Sequence, residues 1–168
     1  PVKVDMYEIK NALLRYYGKV NMTNCIEWSI NTCMTSISEK LGRRLFRRAL
    51  ARFGFGKITG IELDDELPGN IIALSDWNVA LLATASFGQG VSVTPLQMIT
   101  AYAPLANGGK LMKPTVIDRV LHSDGTVTHN EPKILDQVIT PQTSQTITAM
   151  LVSSADVGFA KAGKVPGH

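Results

Sequence analysis

The clearest apolar periodicity runs through residues 32–53. Cys33, Met34, Ile37 and Leu41 recur at three- and four-residue intervals, which places them on one helix face, and Gly42 supplies a stop. A second helix is predicted over residues 43–53. Arg43, Arg44, Arg47, Arg48 and Arg52 share one half of its wheel, and Leu45, Phe46, Ala49, Leu50 and Phe53 the other. The arginine half is expected to be a solvated surface, with contact to anionic lipid or wall polymer as the sharper alternative. Glycines at 54, 56 and 60 then predict tight turns, and the acidic stretch over 61–66 reads as a solvated loop. Ser75 or Asp76 can cap a short helix over 77–85. Thr94-Pro95-Leu96-Gln97 is a stronger start: Thr at the cap, Pro at the first helical position, and Gln placed to reach back to the cap N–H. That helix should end at Asn107-Gly108-Gly109. Beyond it the pattern turns to strands over 115–121, from 127 onward and over 133–139, with a turn at Ser123-Asp124-Gly125-Thr126. Thr140-Pro141 opens a last helix carrying Ile147, Met150 and Leu151.

Composition adds bounds. The chain has 168 residues, 45% apolar and 18% charged, which fits one globular domain or part of a larger one. A net charge of +3 is too mild to demand a nucleic-acid partner, and none is expected. No stretch approaches the ~18 consecutive apolar residues of a membrane span. The sequence opens Pro1-Val2-Lys3 and stops at Pro166-Gly167-His168, and both ends are expected to be cuts through a longer protein. Cys25 and Cys33 are eight apart. On one continuous helix their Cα atoms would sit roughly 12 Å apart, beyond the ~7 Å limit for a bridge. Two buried free thiols are therefore expected, and a disulfide would need the chain to reverse between them.

Most familiar catalytic patterns are missing. His122, His129 and His168 are scattered, with no cysteine–histidine cluster at zinc spacing. No Walker loop and no Gly-x-Ser-x-Gly elbow occurs, and no metal or cofactor is expected. What remains is Ser29-Ile30-Asn31, directly before a predicted helix. Alone it reads as capping chemistry, because both residue types favour helix starts.

Its surroundings change that reading. Trp77-Asn78-Val79-Ala80-Leu81-Leu82-Ala83-Thr84-Ala85-Ser86-Phe87-Gly88-Gln89-Gly90, continuing through Thr94-Pro95-Leu96-Gln97 to Asn107-Gly108-Gly109, closely resembles class B penicillin-binding proteins. So do Phe53-Gly54-Phe55-Gly56-Lys57-Ile58-Thr59-Gly60-Ile61 and, later, Asp124-Gly125 followed by Val138-Ile139-Thr140-Pro141. The resemblance runs in order from about Asn11 to the end.

That resemblance implies an α/β (α+β) fold: the helical lobe of a penicillin-binding transpeptidase domain, with flanking strands of an antiparallel sheet. Residues 1–168 are expected to form an incomplete domain that exposes apolar faces meant for the sheet and folds poorly alone. The family's active site uses Ser-x-x-Lys, Ser-x-Asn and Lys-Thr/Ser-Gly. Acyl transfer from a D-Ala-D-Ala stem peptide needs a serine activated by a neighbouring base, here lysine. A middle serine hydroxyl both donates and accepts, so it can relay a proton. By this likeness Ser29 takes the relay role, and Asn31 orients the substrate amide and the first-motif lysine. No serine here is followed three residues on by lysine, and no Lys-Thr-Gly or Lys-Ser-Gly occurs. Lys57-Ile58-Thr59-Gly60 has one residue too many; Val165-Pro166-Gly167-His168 looks like the approach to the third motif. The parent is thus expected to be a serine D,D-transpeptidase that also binds β-lactams, and this chain alone to be inactive. A degenerate scaffold homologue or a β-lactamase or β-lactam-sensor relative are the alternatives. The family further implies the outer face of the bacterial cell membrane, an N-terminal anchor outside this chain, and other cell-wall synthesis proteins as partners.

Overall fold

A computed structural model describes residues 1–165. In chain order its elements are β1 (Val2–Val4), β2 (Tyr7–Ile9), α1 (Met22–Glu27), α2 (Asn31–Arg52), α3 (Val79–Ala85), α4 (Pro95–Ala106), β3 (Lys110–Met112), β4 (Arg119–Leu121), β5 (Val127–His129), β6 (Ile134–Gln137) and α5 (Pro141–Asp156). Among the described residues the strands form three antiparallel pairs, β1–β2, β3–β6 and β4–β5. Helices with short antiparallel pairs agree with the expected class. The chain divides into two compact units, residues 1–49, 72–91 and 146 onward, and residues 50–71 with 92–145.

In the first unit, the β1–β2 hairpin pairs Val2 with Ile9 and Val4 with Tyr7. Val4 and Ile9 are buried against Ala83 of α3, with Val2 and Phe87 packed around them. Trp77 is buried too; its indole N–H donates to the Ile72 carbonyl at 2.9 Å and its ring lies 5.9 Å from that of Phe46. Gly42 breaks the helical path of α2 at φ 73°, ψ 157°, which bears out the predicted stop and restart.

Two expectations in this unit are corrected. The arginines are not simply solvated: Arg43 donates to the Trp77 carbonyl at 2.9 Å and Arg47 to the Ile72 carbonyl at 3.1 Å, while Arg44 and Arg48 stay exposed. The Ile72 and Trp77 carbonyls flank the 3₁₀ turn outside any strand ladder, and guanidinium donors serve them. Nor do Ser75 and Asp76 cap α3. They belong to a separate 3₁₀ turn over Leu74–Asp76, and Asn78 is the cap, its side chain accepting from Leu81 N–H at 2.7 Å.

The second unit is organised around α4. Its capping box forms as predicted: Thr94 Oγ1 accepts from Gln97 N–H and Gln97 Oε1 from Thr94 N–H, both at 3.1 Å. Gln97 is only 1% exposed, and its Nε2 also donates to the carbonyls of Lys57 and Pro68 at 2.6 and 2.7 Å. One side chain thereby ties the glycine-rich loop to the helix start. After α4 the chain turns at Gly109, whose φ is +95°; a Cβ there would lie 2.0 Å from the Ile139 carbonyl oxygen. The β4–β5 hairpin is exposed throughout and carries His122 and His129. The acidic loop is partly structural. Glu62 pairs with Lys113 at 2.7 Å, and Glu66 accepts from Thr59 and Gly60 N–H at 2.6 and 2.9 Å. Lys57-Ile58-Thr59-Gly60 thus sits in a carboxylate-braced loop.

Candidate active site

Ser29 and Asn31 occupy the turn between α1 and α2. Asn21 starts α1, accepting from Asn24 N–H at 2.9 Å in a capping box. The helix ends in a Schellman motif. Ile30 N–H donates to the Cys25 carbonyl at 3.0 Å and Ser29 N–H to the Ile26 carbonyl at 3.2 Å, with Ser29 at φ +49°. This left-handed position is usually glycine's. Cys25 and Ile30, the two residues that this hydrogen bond joins, are each 2% exposed. Ser29 itself is exposed, and its hydroxyl makes no hydrogen bond among the described residues.

The expectation of free thiols is overturned. Cys25 and Cys33 form a disulfide with Cα atoms 5.9 Å apart. The two residues do not share one continuous helix: α1 stops at Glu27 and the left-handed Ser29 reverses the chain, so both cysteines come to one side of the turn.

The start of α2 is held from residues 10 and 11. Asn31 Nδ2 donates to the Lys10 carbonyl at 3.0 Å, and among the described residues its Oδ1 has no hydrogen-bond partner. Asn11, itself buried, accepts from Thr32 N–H through Oδ1 at 3.0 Å and donates to the Arg15 carbonyl at 2.9 Å. It serves one of the orphan N–H groups of the new helix. Trp28 stacks on Tyr17, ring centres 6.3 Å apart. On the other side the Glu27 carboxylate, in a residue 8% exposed, accepts from the Ser153 hydroxyl and from Asn24 Nδ2 at 3.0 Å. These two donors, Ser153 foremost, hold its pKa below the usual carboxylate range. Gly158 packs so closely on the Glu27 backbone that a Cβ would lie 2.4 Å from its carbonyl oxygen.

An open cavity of about 410 Å³ adjoins the turn. Ile30, Thr32 and Cys33 are in its wall with Tyr16, Tyr17 and Lys19, whereas Ser29 and Asn31 are not. The two predicted residues thus share one turn and stand outside the wall of that cavity. The 166–168 part of the predicted third-motif approach, with His168, lies outside the described residues. Sequence reading missed the supports Asn11, Glu27 and the disulfide. Asn21 and Asn24 at capping-box spacing were the signal for α1, and a helix ending before Ser29 would have put the cysteines in reach.

Chemically, the turn offers, among the described residues, a hydroxyl without a hydrogen bond and an amide with one, two residues apart. Such a pair can pass a proton and orient an amide, and it supplies no nucleophile with its own base. Helices with short antiparallel strand pairs define the class as a mixed α/β fold. Residues 2–168 match the penicillin-binding protein transpeptidase domain family, and the chain belongs to it. It is 33% identical over 170 residues to stage V sporulation protein D of Bacillus subtilis, covering 96% of this chain and 26% of that protein. It is 29% identical over 120 residues to peptidoglycan D,D-transpeptidase FtsI of Escherichia coli, covering 71% of this chain and 20% of that protein. Among solved structures, penicillin-binding protein 3 of Mycobacterium tuberculosis complexed with aztreonam superposes with a TM-score of 0.87 at 28% identity, over 95% of this chain and 37% of that one. The chain thus spans about a quarter of the length of the first of these relatives.

Proposed function

We propose that this chain is the Ser-x-Asn-bearing part of a serine D,D-transpeptidase that cross-links peptidoglycan stem peptides through an acyl-serine intermediate and is acylated by β-lactams. One observation carries the reading. Inside a chain that matches the transpeptidase family over residues 2–168, Ser29 is exposed, with no hydrogen bond to its hydroxyl among the described residues, on a turn that also bears the Asn31 amide. Ser29 relays a proton between the lysines and the leaving amine, and Asn31 orients the substrate amide and the first-motif lysine. The nucleophilic serine with its lysine, and the lysine that grips the substrate carboxylate, come from segments of the parent outside this sequence. The span of only 26% of a relative's length and the missing Ser-x-x-Lys and Lys-Thr-Gly patterns support that division.

Supporting β-lactam binding, the Mycobacterium tuberculosis relative was solved with aztreonam and with ampicillin. A location outside the cytoplasmic membrane agrees with the Cys25–Cys33 disulfide, because such bonds persist in oxidising compartments. The test is acylation of the full parent by a fluorescent penicillin, beside its Ser29→Ala and Asn31→Ala variants. The wild type labels, and both variants label far more slowly while keeping their unfolding transition. Unaltered labelling of both variants refutes the assigned roles. A wild-type parent that never labels is instead a non-catalytic scaffold homologue.

A further inference from the structure

We propose that the Cys25–Cys33 disulfide is a positioning device for Ser29 and Asn31, setting the rate at which the parent is acylated; this rests on the active-site reading above. The bond is centred on the motif. Cys25 is four residues before Ser29 and Cys33 four after it, so the cross-link closes a loop with the serine at its apex. Its two anchors are the positions that define the turn. Cys25 supplies the carbonyl of the Schellman hydrogen bond that orients Ile30, and Cys33 lies in the first turn of α2, its N–H donating to the Ile30 carbonyl at 3.1 Å.

The apex needs an external restraint. Ser29 holds φ +49°, a region that side chains with a Cβ rarely adopt, and no hydrogen bond from its own side chain compensates. Weaker contacts contribute to that restraint, namely Asn31 to the Lys10 carbonyl, Thr32 to Asn11, and Trp28 on Tyr17. Each reaches the turn from one flank; the Schellman hydrogen bond from Ile30 to the Cys25 carbonyl closes it through backbone, and the disulfide adds a covalent closure from α1 to α2. Without the bond, Ser29 can relax toward right-handed backbone, which turns its hydroxyl and shifts the start of α2 with Asn31. A displacement of about 1 Å of a positioned catalytic group can cost two orders of magnitude in rate. The two cysteines differ in exposure. Cys25 is sealed at 2% exposure, whereas Cys33 is half-buried in the wall of the open cavity. A small dithiol can attack Cys33 Sγ there, expelling Cys25 as a thiolate that takes up a proton. The reagent's second thiol then releases Cys33 as a thiol and becomes a disulfide itself, a two-electron exchange.

The experiment uses the full parent in four forms: oxidised, reduced with dithiothreitol, reoxidised, and Cys25→Ala/Cys33→Ala. A fluorescent penicillin gives the noncovalent binding constant, the acylation rate constant at saturation and the amplitude separately. Reduction is expected to slow the acylation constant by about tenfold or more, with binding and amplitude little changed. Reoxidation restores it, and the double variant matches the reduced form and ignores dithiothreitol. A lower amplitude or melting temperature with an unchanged rate constant per competent molecule makes the bond merely structural and overturns the proposal, as does an unchanged rate on reduction. Ser29→Ala run in parallel separates the two readings. If it acylates normally, the active-site reading fails. If it is slow while reduction changes nothing, only the positioning role fails.

Discussion

Replacing Ser29 by glycine should stabilise the parent transpeptidase domain while removing activity. The substitution deletes a hydroxyl and also the Cβ that makes φ +49° costly. An L residue held in left-handed backbone is about 1–2 kcal/mol worse than glycine there. Glycine's greater freedom in the unfolded chain offsets about 0.4–1 kcal/mol. The exposed hydroxyl has no hydrogen bond among the described residues, so nothing else is lost from the fold. A net gain of about 0–1.6 kcal/mol follows, about 0.8 at mid-range, which for a domain of about 150–250 residues raises the melting temperature by about 2–3 °C. Ser29→Ala keeps the Cβ and gains nothing. Both variants lose the relay, worth about 10²–10⁴ in rate for general acid–base chemistry. Thermal unfolding by circular dichroism and acylation by a fluorescent penicillin, on wild type and both variants, give the comparison. If the glycine variant melts below the alanine variant, the left-handed turn is not what limits stability. If it acylates at the wild-type rate, the hydroxyl has no part in the reaction.

The supports of the fold give further expectations. Asn11→Ala strands Thr32 N–H and the Arg15 carbonyl and should cost about 2 kcal/mol in urea unfolding; no loss would mean that water replaces both contacts. Gln97→Glu sets carboxylate oxygens against the Lys57 and Pro68 carbonyls in a site only 1% exposed, at a cost of about 3–5 kcal/mol. Its melting deficit should shrink at acid pH, where the introduced carboxyl regains one donor, and a pH-independent deficit would contradict the stated cause. The Lys113 ammonium, 2.7 Å away, holds the Glu62 pKa at about 2, against an ordinary 4.5. A lowered folded-state pKa means that the stabilisation is complete above pH 4.5 and is lost as pH falls toward about 2. Over that window wild type should lose melting temperature more steeply than Glu62→Gln, and parallel curves would show that the pair contributes nothing.

Legibility in the sequence followed how local each signal was. The α4 capping box could be read from four residues because its hydrogen bonds close within one turn, and Thr140 similarly accepts from Thr143 N–H at 3.2 Å to begin α5. Gly42 was readable for the same reason. The β1–β2 hairpin escaped notice because its turn, Asp5-Met6, lacks glycine although Asp5 adopts φ +52°. The disulfide was misread because the reversal it needs has no glycine to announce it: the Schellman motif between the cysteines is built on Ser29. Arg43 and Arg47 were misread because their carbonyl partners lie about thirty residues on, beyond any periodicity argument. Within the site, Ser29 and Asn31 were found through a long family-like run elsewhere in the chain. Asn11, which holds the neighbouring Thr32 N–H, and Glu27, which accepts from Ser153, act through contacts that only the folded chain brings into being.

A crystal structure of the complete parent acylated by aztreonam bears most directly on the assignment of this turn. Ser29 Oγ should lie within about 3 Å of the lysine paired with the acylated serine, and the Asn31 amide within the same reach of the drug's side-chain amide. Side chains turned away from the bound drug, or shut beneath packed helices, would contradict it.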